Sequence, residues 1–316
     1  MDKNHPIINL IKKYDNISLF FHEHPDFDAL GSVFAFKEFI KVLYPKKTVC
    51  VIGINQINKQ YYDKFLPFSK ETNKDDNWVK TSLGIICDTA NSSRVQTQKH
   101  LLCKETIRID HHPEVEHFGN VTWVDSTMSS VCEMLAHLFI NWDEKAINDK
   151  ISSYLYIGIL TDTNRFFYLN TSADTLRIVA KLYSKIKDRL SIHLLLNEKT
   201  LDRIKFENDV FKLIKFDNKN HIASLLIPNT LFSKYKTMPE SLIYLMSNIK
   251  DINVWTSLYY DLETKKWKGS IRSKKIDISK VAIKFNGGGH KNASGFKLNS
   301  SNEFVKVINE LKKLTE

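Results

Sequence analysis

Histidine and aspartate residues cluster in four short segments of the chain, and these residue types bind divalent cations. The segments are His22–Ser32 (HEHPDFDALGS), Asp88–Ala90 (DTA), Asp110–Pro113 (DHHP) and Asp162–Phe166 (DTNRF). Clustered carboxylates repel one another unless a cation lies between them. The four segments therefore predict a metal site of carboxylates and imidazoles, which suit Mn, Fe, Co or Zn.

Two metal ions would give this cluster a defined chemistry. Two cations about 3.5–4 Å apart hold the attacking and the leaving oxygen of a phosphoryl displacement. Asp26 and Asp28 could reach neighbouring ions, and a carboxylate such as Asp88 can bridge them. Alone, Asp26 and Asp28 could instead cap a helix that begins near Ala29. Alone, Asp88 or Asp162 could be a cap or a turn residue, so the combination of segments carries the prediction.

Three of the four segments follow predicted β-strands. Apolar and β-branched runs predict strands at 17–22, 48–53, 83–88, 106–110 and 121–125. Apolar residues at helical spacing predict helices at 29–43, 94–102, 131–142, 147–160 and 172–187. This alternation predicts an α/β fold, in which a parallel sheet has helices on both faces. Ligands bind beyond the carboxyl ends of such strands, where these polar segments lie.

The pattern changes after about residue 186. Helical patterns are predicted at 189–215, 239–249 and 302–314, strands at 222–227, 254–261 and 268–272, and a polar hairpin at 263–266. We therefore predict a catalytic domain at 1–186, a helical linker at 187–205 and a smaller α+β domain at 206–316.

The composition indicates a folded, basic chain. It has 316 residues, 42% of them hydrophobic, and a formal net charge of +10. These values exclude a disordered chain and favour an anionic partner such as nucleic acid, a nucleotide or a membrane surface. The N-terminus has no secretory-signal pattern, and the apolar runs are too short to span a membrane. The four cysteines lack CxxC spacing, which favours buried free thiols over disulfides or zinc, and a cytoplasmic location.

The four segments together resemble the motifs of the DHH phosphoesterase superfamily, whose name corresponds here to Asp110-His111-His112. The opening motif H-x-N-P-D-x-D-A-x-G-S is matched at 22–32, with His24 in place of the usual Asn. The fourth motif, D-T-G-x-F, is matched at 162–166, with Asn164 in the Gly position. The resemblance covers nearly the whole chain.

The resemblance implies two metal ions, expected to be Mn²⁺, with one carboxylate bridging them. The implied ligands are His22, Asp26 and the bridging Asp88 for one ion, and Asp28, Asp88, His111 and Asp162 for the other. It also implies that His112 lies beside the scissile phosphate and assists the leaving group. Asp110 would orient the histidines and fix their tautomers.

A glycine run near the C-terminus carries a second resemblance, since 286–295 is NGGGHKNASG. Glycines let backbone N–H groups approach an anion closely, although a bare run is more often a flexible turn. GGGHxxAxG resembles the signature of the DHH-associated C-terminal domain, and 269–273 (GSIRS) resembles its arginine strand. The implied substrate-binding residues are Arg272, Ser273, Gly288, Gly289 and His290, with a surface arginine as the alternative for Arg272. The active site would then lie in a cleft between the two domains.

The domain content narrows the activities that the resemblance implies. Inorganic pyrophosphatases of the superfamily have a different second domain, RecJ-type exonucleases are larger, and membrane-bound cyclic-dinucleotide phosphodiesterases have added segments. The compact form resembles bacterial oligoribonucleases (nanoRNases), many of which also remove the 3′-phosphate from adenosine 3′,5′-bisphosphate (pAp). We therefore expect a Mn²⁺-dependent phosphodiesterase acting on short RNAs and pAp, with a homodimer possible. The alternatives are a cyclic di-AMP or pApA phosphodiesterase, and a non-catalytic nucleotide-binding protein.

Overall fold

The computed structural model describes residues 6–57 and 74–315. The chain divides into two compact units between Asn197 and Glu198. This division lies within the range 187–205 that was predicted to be a linker. Among the described residues, no helix combines the length and the apolar character that crossing a membrane requires.

The N-terminal unit alternates strands and helices. Its strands are β1 (Asn16–Phe20), β2 (Thr48–Val51), β3 (Leu83–Cys87), β4 (Glu105–Asp110) and β5 (Val121–Val124). Its α-helices are α1 (Pro6–Lys13), α2 (Phe27–Leu43), α3 (Asp76–Val79), α4 (Val131–Asp143), α5 (Asp149–Asp162), α6 (Ala173–Lys185) and α7 (Arg189–Asn197).

The five strands form one sheet in the order β2-β1-β3-β4-β5, and all neighbours are parallel. Alternate side chains of a strand point to opposite faces, and the two faces of this sheet have separate cores. Ile17 and Leu19 face the larger core, which contains residues of α1, α2, α4, α5 and α6. Phe20 and Ile86 face a smaller core, which Val79 of α3 helps to cover. The predicted α/β class with a parallel sheet is confirmed.

Two glycines allow helices α2, α4 and α5 to approach one another closely. A Cβ atom on Gly31 of α2 would lie 2.5 Å from the backbone oxygen of Tyr154 in α5. A Cβ atom on Gly158 of α5 would lie 2.3 Å from Cys132 Sγ and 3.0 Å from Asp28 Oδ1. Such distances are too short for carbon, so this packing requires glycine at both positions. It also fixes the position of Asp28, one of the predicted metal ligands.

The C-terminal unit is an α+β domain around a mixed sheet. Its strands are β6 (Lys215–Asp217), β7 (Ile222–Leu226), β8 (Val254–Asp261), β9 (Lys266–Ser273), β10 (Gly288–His290) and β11 (Ala293–Leu298). Its helices are α8 (Leu201–Phe211), α9 (Asn229–Tyr235), α10 (Ser279–Lys284) and α11 (Phe304–Lys312). The strand order is β10-β11-β9-β8-β7-β6, and only β7 and β8 pair in parallel. The predicted second α+β domain is confirmed.

One helix predicted in the first half is wrong. Residues 94–102 were predicted to be helical, but two 3₁₀ turns, Ser92–Arg94 and Gln98–Leu102, flank an extended stretch. The reason is tertiary, because Val95 forms a β-bridge with His22 and the Gln96 N–H donates to the Phe21 oxygen. This pairing with the end of β1 overrides the helical spacing.

Two helical predictions in the second half also need correction. The segment 189–215 forms two helices, α7 and α8, followed by the first residue of β6. The segment 239–249 contains only a 3₁₀ turn, Ile243–Met246, because Leu242 has the left-handed φ of 46° that interrupts a helix. Helix α9 was not predicted at all.

Candidate metal centre and active site

The predicted metal ligands lie at the carboxyl ends of three adjacent strands. His22 follows β1, Asp88 directly follows β3, and Asp110–His112 begins at the last residue of β4. Because these strands are neighbours in the sheet, their carboxyl ends bring the side chains together. Asp28 comes from the first turn of α2, and Asp162 is the last residue of α5.

Three groups of side chains have the spacing of metal ligands. Within each group, one possible donor atom per residue lies within 4.8 Å of the others. The groups are His22, Asp26 and Asp88; Asp28, His111 and Asp162; and Asp88, His111 and His112. The first two groups contain the six residues expected to bind metal, and the third adds His112 to the residues around Asp88.

Hydrogen bonds orient the imidazole of His22 for metal binding. Its Nδ1 lies 2.7 Å from the backbone oxygen of Glu23, so Nδ1 carries the proton and donates. Nε2 therefore has its lone pair directed to the cluster, 3.4 Å from Asp88 Oδ2 and 3.8 Å from Asp26 Oδ2. This is the arrangement by which proteins fix the tautomer of a ligating histidine.

Asp26 combines a capping role with a position in the cluster. Its Oδ1 accepts from the N–H groups of Asp28 and Ala29, each at 3.0 Å, and so caps α2. Desolvation acts to raise the pKa of Asp26, but the neighbouring His22 and the hydrogen bonds from these N–H groups outweigh it, and the pKa is about 2. The capping bonds occupy Oδ1 and leave Oδ2 on the side of His22.

Asp28 is fully buried at the N-terminus of α4. Its Oδ2 accepts from the Val131 N–H at 2.7 Å, and its Oδ1 accepts from the Cys132 N–H at 2.8 Å. Burial and the charge of Asp88 nevertheless raise the pKa of Asp28 to about 7. Burial and the same group of carboxylates also raise the pKa of Asp162 well above its usual range. Asp28 and Asp162 therefore lack enough positive charge around them.

Asp88 gives the clearest indication that a cation belongs in this site. Its side chain is buried, and Oδ1 has no hydrogen-bond donor among the described residues. The nearest nitrogens, His111 Nε2 and His112 Nδ1, are each 3.5 Å away. Its backbone has a φ of 58°, which costs energy for a residue other than glycine. A buried, unpartnered carboxylate oxygen between imidazoles fits a metal ion, as the donor types also do.

A buried arginine, which none of the four motifs includes, supports Asp110 and His112. Arg108 of β4 is fully buried, and one guanidinium nitrogen donates to Asp110 Oδ2 at 2.6 Å. The other carboxylate oxygen of Asp110 accepts from His112 Nδ1 at 2.8 Å. Burial opposes the charge of Asp110, but His112 and Arg108 hold its pKa below the usual value. The only sequence signal was a charged residue inside an apolar strand, TIRID.

A pocket of about 170 Å³ opens onto the metal ligands. Its lining includes His22, Asp88, His112 and Asp162, together with Arg94. The sequence did not predict that Arg94 lines this pocket, because its spacing indicated a helix at 94–102. Arg94 lies six residues after Asp88, at the end of the 3₁₀ turn Ser92–Arg94.

In the C-terminal unit, the predicted substrate-binding residues meet across three strands. His290 of β10 pairs with Ala293 of β11, and Ala293 pairs with Arg272 of β9. Arg272 donates to the backbone oxygens of Ile271 and Ser294, at 2.9 and 3.4 Å.

The hydroxyl of Ser273 already has local hydrogen bonds. It donates to the Ile276 oxygen and accepts from Asn292 Nδ2. These contacts within the unit give Ser273 a role in holding the end of β9.

The three consecutive glycines are not equivalent. A Cβ on Gly287 would lie 1.9 Å from the Gly295 oxygen, and Gly289, with a φ of 137°, would place one 2.6 Å from the Ala293 oxygen. The hairpin itself therefore requires these two glycines. Gly288, by contrast, would have nothing within 4 Å of its Cβ. The fold does not require glycine at 288, so the space beside it is available to a ligand.

Comparison with known protein families identifies both units. Residues 16–159 match the DHH family, N-terminal domain, and residues 236–316 match the DHHA1 domain. The chain is 30% identical to the bifunctional oligoribonuclease and PAP phosphatase NrnA of Bacillus subtilis, over 98% of this chain and 97% of that protein. The chain belongs to the DHH phosphoesterase family. DHH phosphoesterases are metal-dependent hydrolases of phosphoester bonds, so the prediction of an enzyme is confirmed.

Other relatives of this DHH protein include two proteins from one organism, Mycoplasma genitalium. The chain is 42% identical to the uncharacterized protein MG371, over 94% of this chain and 91% of that protein. It is 29% identical to the NrnA of the same organism, over 96% of this chain and 95% of that protein. A solved structure of an exopolyphosphatase-related protein from Bacteroides fragilis has a TM-score of 0.82 at 24% identity. That similarity covers 97% of this chain and 94% of the other, and it supports the fold.

Proposed function

We propose that this protein is a Mn²⁺-dependent phosphodiesterase that degrades RNA oligomers of a few nucleotides and removes the 3′-phosphate of pAp. The observation that carries the proposal is the full-length similarity to NrnA of Bacillus subtilis, an oligoribonuclease and PAP phosphatase by name. The similarity spans both units, so it includes the metal cluster and the glycine hairpin. The cytoplasm, where such substrates occur, is the proposed location, and the homodimer stays a prediction.

We assign the metal ligands as the resemblance implies. His22, Asp26 and Asp88 would hold one ion, and Asp28, Asp88, His111 and Asp162 the other, with Asp88 as the bridge. Two of the three donor groups in the cluster support this division. When bound, the two ions would supply an activated water and offset charge on the scissile phosphate.

The remaining residues of the N-terminal site would orient the ring of His112 and protonate the leaving oxygen. Asp110 accepts from His112 Nδ1, so the ring would present Nε2 to the substrate and could give a proton to the leaving oxygen there. Arg108 holds Asp110 in place from behind. The residues proposed to bind the nucleotide are Arg272, Ser273, Gly288, Gly289 and His290. Ser273 would act indirectly, because its hydrogen bonds hold the end of β9 in shape.

Purified full-length protein, incubated with Mn²⁺, RNAs of two to five nucleotides and pAp, tests the proposal. Mononucleotides from the RNAs and AMP from pAp are the expected products. Asp88→Ala should abolish both activities while retaining the circular dichroism spectrum. Failure of the Mn²⁺-loaded protein to hydrolyse either substrate would refute the proposal, and unchanged hydrolysis by Asp88→Ala would refute the bridging assignment.

A second candidate is a phosphodiesterase acting on cyclic di-AMP or its linear product pApA. The chain is 42% identical to MG371 but 29% identical to NrnA of the same organism, so its substrate need not be the one that NrnA takes. A competition assay with equal concentrations of pAp, pApA and cyclic di-AMP separates the candidates. Faster loss of pAp supports the first function, and faster loss of cyclic di-AMP supports the second, whereas pApA, itself an RNA of two nucleotides, is a substrate under both.

A further inference from the structure

Arg94 is the only arginine or lysine among the side chains that line the metal pocket in the described part of the chain. The pocket otherwise presents carboxylates, imidazoles and the small residues Thr89 and Ala90. About half of the Arg94 side chain is exposed, so a ligand that enters the pocket from solvent can reach it.

With two metal ions and a substrate phosphate bound, the metal pocket would carry excess negative charge, which a cationic side chain at the pocket would offset. The four carboxylates of the proposed ligand sets, Asp26, Asp28, Asp88 and Asp162, would balance the four positive charges of two divalent ions. A substrate phosphate then adds negative charge that the ligands do not offset. Phosphoryl-transfer sites place arginine or lysine at such phosphates, because the oxygens carry the charge of the transition state.

The guanidinium of Arg94 has N–H groups that could donate hydrogen bonds to a phosphate. In the described part of the chain its side chain makes one ion pair, in which Nε lies 3.6 Å from Glu23 Oε1. This distance is longer than a hydrogen bond, and both side chains are more than half exposed, so the pair is weak. The two terminal nitrogens would remain for a bidentate contact with phosphate oxygens.

The backbone that carries Arg94 is held rigidly on both sides. Before it, Ser92 Oγ lies 2.9 Å from Nε2 of the buried His100, whose Nδ1 lies 3.2 Å from the Thr97 oxygen. Nδ1 therefore donates to that carbonyl, and Nε2 accepts from the serine hydroxyl. After it, Val95 forms the β-bridge to His22, a predicted metal ligand. The position of Arg94 relative to the cluster is thus fixed by the fold.

From these observations we infer that Arg94 binds the phosphate group of the substrate at the metal pocket, and that Glu23 holds its guanidinium when no phosphate is present. The inference rests on the proposed function, because it assumes a phosphate ester substrate. It adds a substrate-binding residue in the N-terminal unit to those proposed in the C-terminal unit.

Isothermal titration of Mn²⁺-loaded, full-length protein with inorganic phosphate tests the inference without requiring turnover. Loss of hydrogen bonds to a charged ligand should raise the phosphate dissociation constant of Arg94→Gln about tenfold to hundredfold. Arg94→Lys should recover part of the affinity, because it keeps the charge but not the bidentate geometry. Glu23→Gln should tighten binding by up to about fivefold, the effect of losing a weak exposed pair.

Arg177→Gln is the matched control, since Arg177 is an exposed arginine of α6 paired with Asp174 away from the pocket lining. It should bind phosphate and Mn²⁺ as the wild type does. Phosphate affinity in Arg94→Gln equal to that of this control would overturn the inference. So would a parallel loss of Mn²⁺ affinity, which would mark Arg94 as a support of the metal site.

The outcome can be separated from that of the proposed function. If wild-type protein binds phosphate through Arg94 but hydrolyses neither short RNA nor pAp, the proposed substrates are wrong and the inference stands. If it hydrolyses them while Arg94→Gln retains the wild-type KM and phosphate affinity, the proposed function stands and the inference is wrong.

Discussion

Replacing Arg108 with methionine would remove the guanidinium that pairs with Asp110, and the buried carboxylate of Asp110 would lose its cationic partner. The guanidinium donates to Asp110 Oδ2, to the Thr89 oxygen at 3.1 Å and to the Glu116 oxygen. It also packs 4.7 Å from the ring centre of Phe118. The side chains of Arg108 and Asp110 have no solvent exposure, so water cannot take over these bonds.

The expected cost follows from the burial of the remaining charge. Removing one partner of a buried ion pair typically destabilises a protein by about 3–5 kcal/mol. Asp110 would keep its bonds from His112, and methionine would retain apolar volume, so we expect Arg108→Met to lie within this range. For a unit of this size, about 2–4 °C is lost per kcal/mol, so the melting temperature should fall by about 6–20 °C.

A double-mutant cycle with Asp110→Asn separates the buried charge from lost packing. The asparagine carries no charge, so the double variant should be more stable than the sum of the single effects implies, by at least about 1 kcal/mol. Thermal unfolding with EDTA measures the four proteins without bound metal. Arg177→Met, which removes an exposed pair, should change stability by less than about 0.5 kcal/mol.

Two results would refute this reasoning. One is an Arg108→Met protein as stable as the Arg177→Met control. The other is strict additivity in the cycle, because independent effects would mean that Arg108 does not compensate the charge of Asp110.

Further predictions concern the hairpin, the metal and a thiol. Gly287→Ala should destabilise the C-terminal unit, because its Cβ would meet the Gly295 oxygen at 1.9 Å, whereas Gly288→Ala should leave the melting temperature unchanged and raise the KM for nucleotides. Mn²⁺ at a hundred times its dissociation constant should stabilise the wild type in thermal unfolding by about 2.7 kcal/mol for each ion bound, and Asp88→Asn should lose this effect. Burial raises the pKa of the Cys103 thiol from 9.0 to about 11. At pH 8 the Cys103 thiolate should therefore be about a hundredfold scarcer in the folded protein than in urea, and its reaction with a thiol reagent should be slower by the same factor. The first prediction is wrong if Gly287→Ala and Gly288→Ala destabilise the protein equally. The second is wrong if Mn²⁺ still stabilises Asp88→Asn. The third is wrong if Cys103 reacts at the same rate in the folded protein and in urea.

The sequence predicted the parts of the site that follow strands. His22, Asp88 and Asp110–His112 each come after an apolar, β-branched run, and parallel strands bring their carboxyl ends to one edge. That argument needs only local patterns and a rule about sheets. It therefore placed these ligands together without knowledge of the strand order, which the structure gives as β2-β1-β3-β4-β5.

The sequence did not reveal Arg108 or Arg94, because their roles depend on contacts between distant parts of the chain. An arginine in a strand is usually exposed, and Arg108 is buried only because Asp110 and the carbonyls of Thr89 and Glu116 surround it. Arg94 reaches the pocket because Val95 pairs with the end of β1 instead of continuing a helix. Sequence periodicity predicts neither the burial of Arg108 nor the position of Arg94 at the pocket.

The two interpretations that the sequence left open for Asp26 and Asp28 turn out to be compatible. Asp26 caps α2 through Oδ1, as the capping interpretation predicted, whereas Asp28 accepts from the first N–H groups of α4 and not from the helix that begins near Ala29. Each bond fixes a carboxylate against a helix N-terminus, where the helix dipole favours negative charge. A carboxylate oxygen has two lone pairs, so an oxygen that accepts from an N–H group can still bind a cation. Capping is therefore the means by which the fold holds these charges close together before a metal binds, and Gly158 provides the space for Asp28.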